Sequence, residues 1–354
     1  MRLLPVLLLA CTAAAPKDDG DGTDTRETDT GEASAPPDHT DDETAETGPT
    51  DPPDTDPGPR WATYAPLQPA RQEHGTTVFR GELVVVGGYV DAGPLDRVDA
   101  WSPESDTWRP LADLPEPLHH PNLASVGDTL VVAGFLVGTF PAFVAKGTVY
   151  RYDPDGDRWT LGTPMPAGTA RGASVTLVHD DRVWVLGGIG VDAVATASIY
   201  DPALDTWTPL PDLPTARDHA AGGVLGTGPT VVGGRRISLE SSLGVVEAWD
   251  PAQAAWTTLP ALPRPRGGLA AAVLDGRLYA LGGEGDLTDP DLMFRDVDAW
   301  DPAQGTWTSL AAMPRAVHGT AAVTLQGRLW LAGGGTRAGL QPTDALQAFD
   351  PQGR

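Results

Sequence analysis

The amino-acid sequence predicts an all-β fold built from six copies of one four-stranded unit, and three recurring marks predict it. A tryptophan followed by a short apolar, proline-containing stretch returns at Trp61, Trp108, Trp159, Trp207, Trp256 and Trp307, at spacings of 47, 51, 48, 49 and 51 residues. A β-rich run closing on two glycines returns at Gly87-Gly88, Gly187-Gly188, Gly233-Gly234, Gly282-Gly283 and Gly333-Gly334. An aromatic residue before Asp-Pro returns at Tyr152, Tyr200, Trp249, Trp300 and Phe349. Marks in fixed order at one period signal a repeat architecture. The composition agrees, because 42 Gly and 35 Pro in 354 residues are poorly suited to helix interiors. A single Cys excludes a disulfide scaffold and a multi-cysteine zinc site.

Each repeat divides into four strands by period and turn signals. The first is rich in small residues, as in 219–224 and 267–272, which suits six strands converging on one axis. A tight turn follows at Arg80-Gly81, Asp275-Gly276 and Gln326-Gly327, with Gly supplying the backbone a hairpin needs. The second strand, such as Leu83 to Val86, is uniformly apolar, as expected when both faces are buried. The third ends at aromatic-Asp-Pro, where Pro stops pairing and opens a turn. The outermost carries the Trp, a broad apolar cover between neighbouring units.

Taken together, the six Trp, the glycine pairs and the aromatic-Asp-Pro marks resemble the kelch pattern over residues 61–351. The resemblance implies a six-bladed kelch-type β-propeller. Two marks depart from it: Gly134-Phe135 replaces the glycine pair in blade two, and Trp101-Ser102-Pro103 replaces aromatic-Asp-Pro in blade one. Phe135 opens an apolar insertion, FLVGTFPAFVAKG, that is expected to protrude. The repeat is out of phase with the chain ends. The first Trp strand stands alone at the N-terminal side, and the last repeat stops after its third strand. The N-terminal strand is therefore expected to complete the last blade and close the ring.

Charge is unevenly placed. The formal net charge is −24, and residues 1–60 hold 15 acids against 4 bases. A chain this acidic is a poor nucleic-acid partner. Between Lys17 and Arg60 only Ala33, Ala35 and Ala45 are apolar apart from the prolines. Such a segment buries too little to offset the entropy of ordering, so it reads as a disordered acidic linker. DDGDGTD resembles a calcium loop only loosely, lacking its ligand spacing and terminal Glu. At the start, Met1-Arg2 and the apolar run Leu3 to Ala10 are too short to span a bilayer. Leu8-Leu9-Ala10-Cys11 resembles the bacterial lipobox, which implies export as a lipoprotein with the lipid on Cys11, the sole cysteine. Thr12 fits outer-membrane sorting. Ordinary secretion, with cleavage after Ala13-Ala14-Ala15, is the alternative. The expected organisation is a signal peptide over 1–10, a lipidated linker over 11–60 and a propeller over 61–354.

Function must come from a site, since propellers host unrelated activities. Long, variable loops are expected on one face, where outer strands lead to the next inner strand. Those connections carry Arg71, His74, His119, His120, Arg171, Arg217, His219, Arg264, Arg266, Arg315 and His318, and nearby loops add Arg235 and Arg236. They form a candidate basic ring for an anionic glycan or acidic peptide. The competing reading is local packing, with Asp91, Asp192, Glu240, Glu284 and Asp286 at hand to neutralise it. Enzyme motifs are weak. Galactose oxidases of this fold need a cysteine-crosslinked tyrosine, and residues 61–354 contain no Cys. The sialidase Asp-box spacing is not met around Asp301 to Trp307. No catalytic residue, cofactor or metal is assigned: His119-His120 lacks metal spacing, and a Glu73-His74 acid/base pair has no motif behind it. The expected protein is a monomeric, membrane-tethered propeller that binds a protein or glycan at the cell envelope. The alternative is a glycan-active enzyme, such as a sialic-acid-type mutarotase or lyase, using the same face.

Overall fold

The computed structural model describes residues 58–139 and 142–353, and each repeat within them folds as one antiparallel four-stranded sheet. In blade one, Gly75–Phe79, Glu82–Val86, Val98–Ser102 and Thr107–Pro110 run in that order from axis to rim. Five such sheets are made from consecutive strands. The sixth joins the two ends of the propeller: Arg60–Tyr64 pairs antiparallel with Leu346–Asp350, placing Trp61 opposite Phe349. The ring is thus closed as the phase of the repeat requires. The leader and Cys11, with the linker up to residue 57, lie outside the described residues.

Two of the sequence marks make contacts between blades, and the third backs one of them from within its own blade. Every outer-strand tryptophan sends its indole N–H to a carbonyl just past the outer strand of the preceding blade. The distances are 2.8 Å for Trp108 to Ala65, 2.9 Å for Trp159, Trp207 and Trp256, and 3.0 Å for Trp307. Trp61 does the same across the last blade, reaching Ala311 at 3.4 Å. The aromatic of the third mark sits directly across the ladder from it, as in Tyr152 opposite Trp159 and Trp249 opposite Trp256. Glycine is required at the second mark because a Cβ on Gly87, Gly134, Gly187, Gly233, Gly282 or Gly333 would lie 2.5–2.9 Å from a carbonyl of the next blade. That contact explains why Gly134 persists where its neighbour has become Phe135.

Apolar cores lie between adjacent blades rather than within them. At the closing junction, Leu83, Val85 and Trp101 of blade one pack on Trp330, Leu346 and Ala348 of blade six. Tyr64 of the N-terminal strand packs there tilted against Trp330 and edge-on to Trp101, at ring-centre separations of 4.6 and 5.6 Å.

Two expectations need correction. The inner strands begin later than the small-residue runs suggest, at Ala221–Leu225 and Ala270–Leu274. His219 and Gly268 hold φ of +48° and +63°, so they form the turn into the strand, not its first residues. The blade-two insertion does not simply protrude. Its strands lengthen to Thr129–Val137 and Val144–Asp153 across a register shift, and Phe135 and Leu136 are fully buried. Phe135 stacks on Tyr150 with ring centres 5.7 Å apart.

Deleting residues 60–64 should abolish cooperative thermal unfolding followed by tryptophan fluorescence. The sixth sheet would lose its rim strand, and the closing core would lose Tyr64.

Candidate functional site

Where each loop turns into an inner strand, the six blades place Glu73, His120, Ala173, His219, Gly268 and Gly319 at one structural position. All six adopt positive φ, between +48° and +63°. Each donates its backbone N–H to the carbonyl of its counterpart in the preceding blade: Glu73 to Gly319 at 2.6 Å, His120 to Glu73 at 2.7 Å, Ala173 to His120 at 3.0 Å, His219 to Ala173 at 3.3 Å, Gly268 to His219 at 2.8 Å, and Gly319 to Gly268 at 3.1 Å. The result is a closed ring of backbone hydrogen bonds around the axis. One residue earlier, each loop bridges to the residue after the glycine pair of its own blade, as in Asp218 with Arg235 and Gly267 with Glu284. The two sets of long loops are thereby laced together on one face.

Side chains from these two positions fill the axis at the long-loop end of a cavity of about 600 Å³ lined by the inner strands. His120 Nε2 lies 3.0 Å from Glu73 Oε2 and 3.0 Å from His219 Nε2. His219 Nδ1 is 2.5 Å from Asp218 Oδ1, and His120 Nδ1 is 2.5 Å from His119 Nδ1. His318 Nδ1 stands 3.5 Å from both Glu73 and Glu284, and Glu284 is ion-paired to Arg235. None of these side chains exceeds 12% exposure where it enters an ion pair.

Burial and neighbouring charge shape the protonation of the cluster. Burial opposes charge on His318, yet the Glu284 and Glu73 carboxylates push it up to about 9. Burial would raise Glu73, but His120 and His318 hold it well below the ordinary carboxylate range. Burial pulls His119 down to about 3, with His120 adding to the effect. Burial, then Arg235, lowers His219. Burial opposes charge on Glu284 as well, and His318 and Arg235 nonetheless lower it. The cluster holds charged and neutral groups side by side.

Most of the arginines expected on the face are elsewhere. Arg71, Arg171, Arg217 and Arg266 are 0–1% exposed and turn inward within their own blades. Arg71 meets Asp99 at 2.8 Å, Arg217 pairs with Glu247, and Arg266 meets Asp298 at 2.9 Å. Among the described residues Arg171 has no carboxylate within ion-pair distance. It donates to the Val185 and Gly187 carbonyls at 2.9 and 3.0 Å and to Ser198 Oγ at 2.8 Å, and burial lowers it to about 10. Where blades two and six carry Leu118 and Val317 instead, the facing third-strand residues are the uncharged Tyr150 and Gln347. In five of the six blades the buried arginine and a facing carboxylate are thus present or absent together, and blade three, with Arg171 on Ser198, is the exception.

The remaining candidates scatter. His74 is buried with Nδ1 3.1 Å from Thr76 Oγ1, and burial, then Arg71, brings it down to about 3. Arg264 is paired with Asp286 at 2.6 Å and Asp296 at 3.1 Å and lies over Phe294. Arg236 is exposed and donates to the Ala216 carbonyl at 3.2 Å. Arg315 is exposed, with Nη1 3.4 Å from Thr343 Oγ1. Of the expected basic groups, the structure gathers His119, His120, His219, His318 and Arg235 at the axis. Glu73, Asp218 and Glu284 complete that cluster. Asp218 carried no signal beyond standing next to His219.

The Kelch motif model matches residues 70–115, 170–214 and 265–314. Kelch-like protein terF of Aspergillus terreus is 31% identical over 296 residues, 79% of this chain and 64% of that protein. Kelch-like protein 23 of Homo sapiens is 26% identical over 273 residues, 76% of this chain and 46% of its own length. The chain therefore spans less than two thirds of these relatives. The solved structure of YjhT superposes with a TM-score of 0.67 at 16% identity, covering 80% of this chain and 95% of that one. Sequence and structure agree that the chain is a kelch-repeat six-bladed β-propeller.

The buried arginines yield a stability test. Arg217→Val should cost about 3–5 kcal/mol in denaturant unfolding, because it leaves the Glu247 charge buried without its partner. Adding Glu247→Gln, which reproduces the Val317–Gln347 pair of blade six, should recover more than half of that loss.

Proposed function

We propose that this propeller is a binding module whose long-loop face recognises a partner protein. One observation carries the reading. Of the seven large hydrophobic residues that stand exposed among the described residues, four fall on the connection between second and third strands in four successive blades, and a fifth opens the third strand directly after that connection in blade two. They are Val144, Val191, Ile237, Leu287 and Leu340, each at least half exposed. Exposed apolar groups gathered on one face mark interaction surfaces. Ile237 adds weight, because it holds φ of +65°, a left-handed conformation that costs a side-chain-bearing residue about 1–2 kcal/mol. The opposite face offers two-residue turns between first and second strands and short turns after the third. Kelch propellers commonly mediate protein interactions, in keeping with this reading.

A second reading is supported by the axial cluster: a glycan-active enzyme working from the same face, such as a mutarotase or lyase. A buried group of acids, histidines and an arginine at the end of a cavity, with His318 raised to about 9, is the kind of site where acid–base chemistry occurs. Turnover of an anionic sugar by the purified protein, lost in Glu73→Gln, would favour it over the binding reading.

The proposed setting is the bacterial envelope, with Cys11 lipidated and the acidic segment holding the propeller off the membrane. Among the described residues no helix is long and apolar enough to cross a membrane.

Two measurements test these readings. Val191→Asp/Leu287→Asp/Leu340→Asp should lose the envelope proteins that photo-crosslink to the wild-type face, while stability stays close to wild type, as expected of exposed sites. Leu204→Asp, in a turn of the other face, should lose none; equal loss from both variants would count against the long-loop face. Cys11→Ser should move the protein from the membrane fraction to the soluble fraction, and unchanged fractionation would count against the anchor.

A further inference from the structure

We propose that Glu73, His120 and His219 form a binding site for one divalent transition-metal ion of the zinc class, on the propeller axis. Each offers one ligand atom, and the three atoms lie within 4.8 Å of one another. Two of the separations are already 3.0 Å, from His120 Nε2 to Glu73 Oε2 and to His219 Nε2. A tetrahedral ion with ligands at about 2.0–2.1 Å sets its ligand atoms about 3.3 Å apart, so the His120 contacts need to open by only a few tenths of an ångström.

The surroundings are arranged as for ligands. His219 holds Asp218 through Nδ1 at 2.5 Å, which turns Nε2 into the site. Asp218 is itself fixed by the Ile237 backbone N–H at 2.8 Å. His120 is engaged through Nδ1 by His119 at 2.5 Å, which likewise leaves Nε2 facing the site. A histidine tied through its far nitrogen to a carboxylate or another acceptor is the usual support of a metal ligand. The ring of six equivalent positions divides accordingly. Three supply ligands, and the other three are Ala173, Gly268 and Gly319, which leave the axis open. At Gly319 a Cβ would come 2.5 Å from Glu73 Oε1, so glycine makes room for the carboxylate.

Two imidazoles and one carboxylate suit zinc, iron or nickel better than calcium or magnesium. Three protein ligands leave a coordination position free, as in catalytic rather than structural sites, and all three side chains line the end of the axial cavity. The alternative is a metal-free cluster in which shared protons alone hold the three groups together.

The test uses the full chain, stripped with chelator and titrated with Zn²⁺ and with Co²⁺. One equivalent should bind, raise the melting temperature, and give Co²⁺ visible bands of a nitrogen- and oxygen-bound ion. Glu73→Gln and His219→Gln should each weaken binding at least tenfold, and Asp218→Asn by 10–100-fold, the range typical for such supporting groups. His179→Ala, at the far end of blade three's inner strand from the cluster, should bind as wild type. If a variant fails to fold, imidazole ¹⁵N spectra of the wild type decide: zinc should shift the Nε2 signals of two histidines. No binding, binding indifferent to Glu73→Gln and His219→Gln, or coordination by another number of histidines would overturn the proposal.

Discussion

The structure depends on the closed circuit of six backbone hydrogen bonds at the axis. A residue placed there must take a left-handed backbone, and in four blades it is not glycine: Glu73, His120, Ala173 and His219. Each accepts a strain of about 1–2 kcal/mol, comparable to the net worth of one hydrogen bond. Such strain persists because both neighbours in the ring fix it. Two wider circuits repeat the device. Glycine at the second mark lets the next blade's carbonyl approach, and the indole N–H at the rim reaches a carbonyl of the preceding blade. The rim circuit closes through Arg60–Tyr64 in the last sheet, whose Trp61 reaches Ala311, whereas the two inner circuits close through Glu73 on Gly319 and Gly334 on Arg71.

This arrangement separates the charged residues into two populations. Arg71, Arg171, Arg217 and Arg266 lie inside blades, where each ties the inner approach of the chain to the second and third strands. Their partners differ: Asp99, Glu247 and Asp298 answer the charge of Arg71, Arg217 and Arg266, while Arg171 is held by Ser198 and backbone carbonyls. The second population sits one and two residues further along and points to the axis. His120, His219, Glu73 and their neighbours are held there by the strained ring residues themselves. A shift of one or two positions in the sequence decides between a clamp within a blade and a group at the mouth of the cavity.

That offset explains what could be read from the residues alone. The fold was legible because each mark reports a feature that recurs from blade to blade: Trp for the rim bond, glycine for the carbonyl approach, aromatic-Asp-Pro for the end of the third strand. The phase of the repeat revealed how the ring closes. The site was legible only in part. Arginine and histidine alternate through the same loops, and composition does not tell which face inward. Asp99, Glu247 and Asp298, which bury the arginines, lie about 30 residues away in third strands. Glu73 and His74 are neighbours in sequence but part in the structure, His74 turning to Thr76 while Glu73 reaches across to His120 and His318. Phe135 likewise looked like the start of a projecting insertion, yet stacking on Tyr150 buries it.

Amide hydrogen exchange tests the central claim most directly. If the axial circuit is the constraint that fixes the mouth of the cavity, the amides of Glu73, His120, Ala173, His219, Gly268 and Gly319 should be among the slowest to exchange. They should open only with global unfolding, despite lying at the ends of long loops. Exchange of these six at the rates of the surrounding loops, in a propeller that remains folded, would contradict the account.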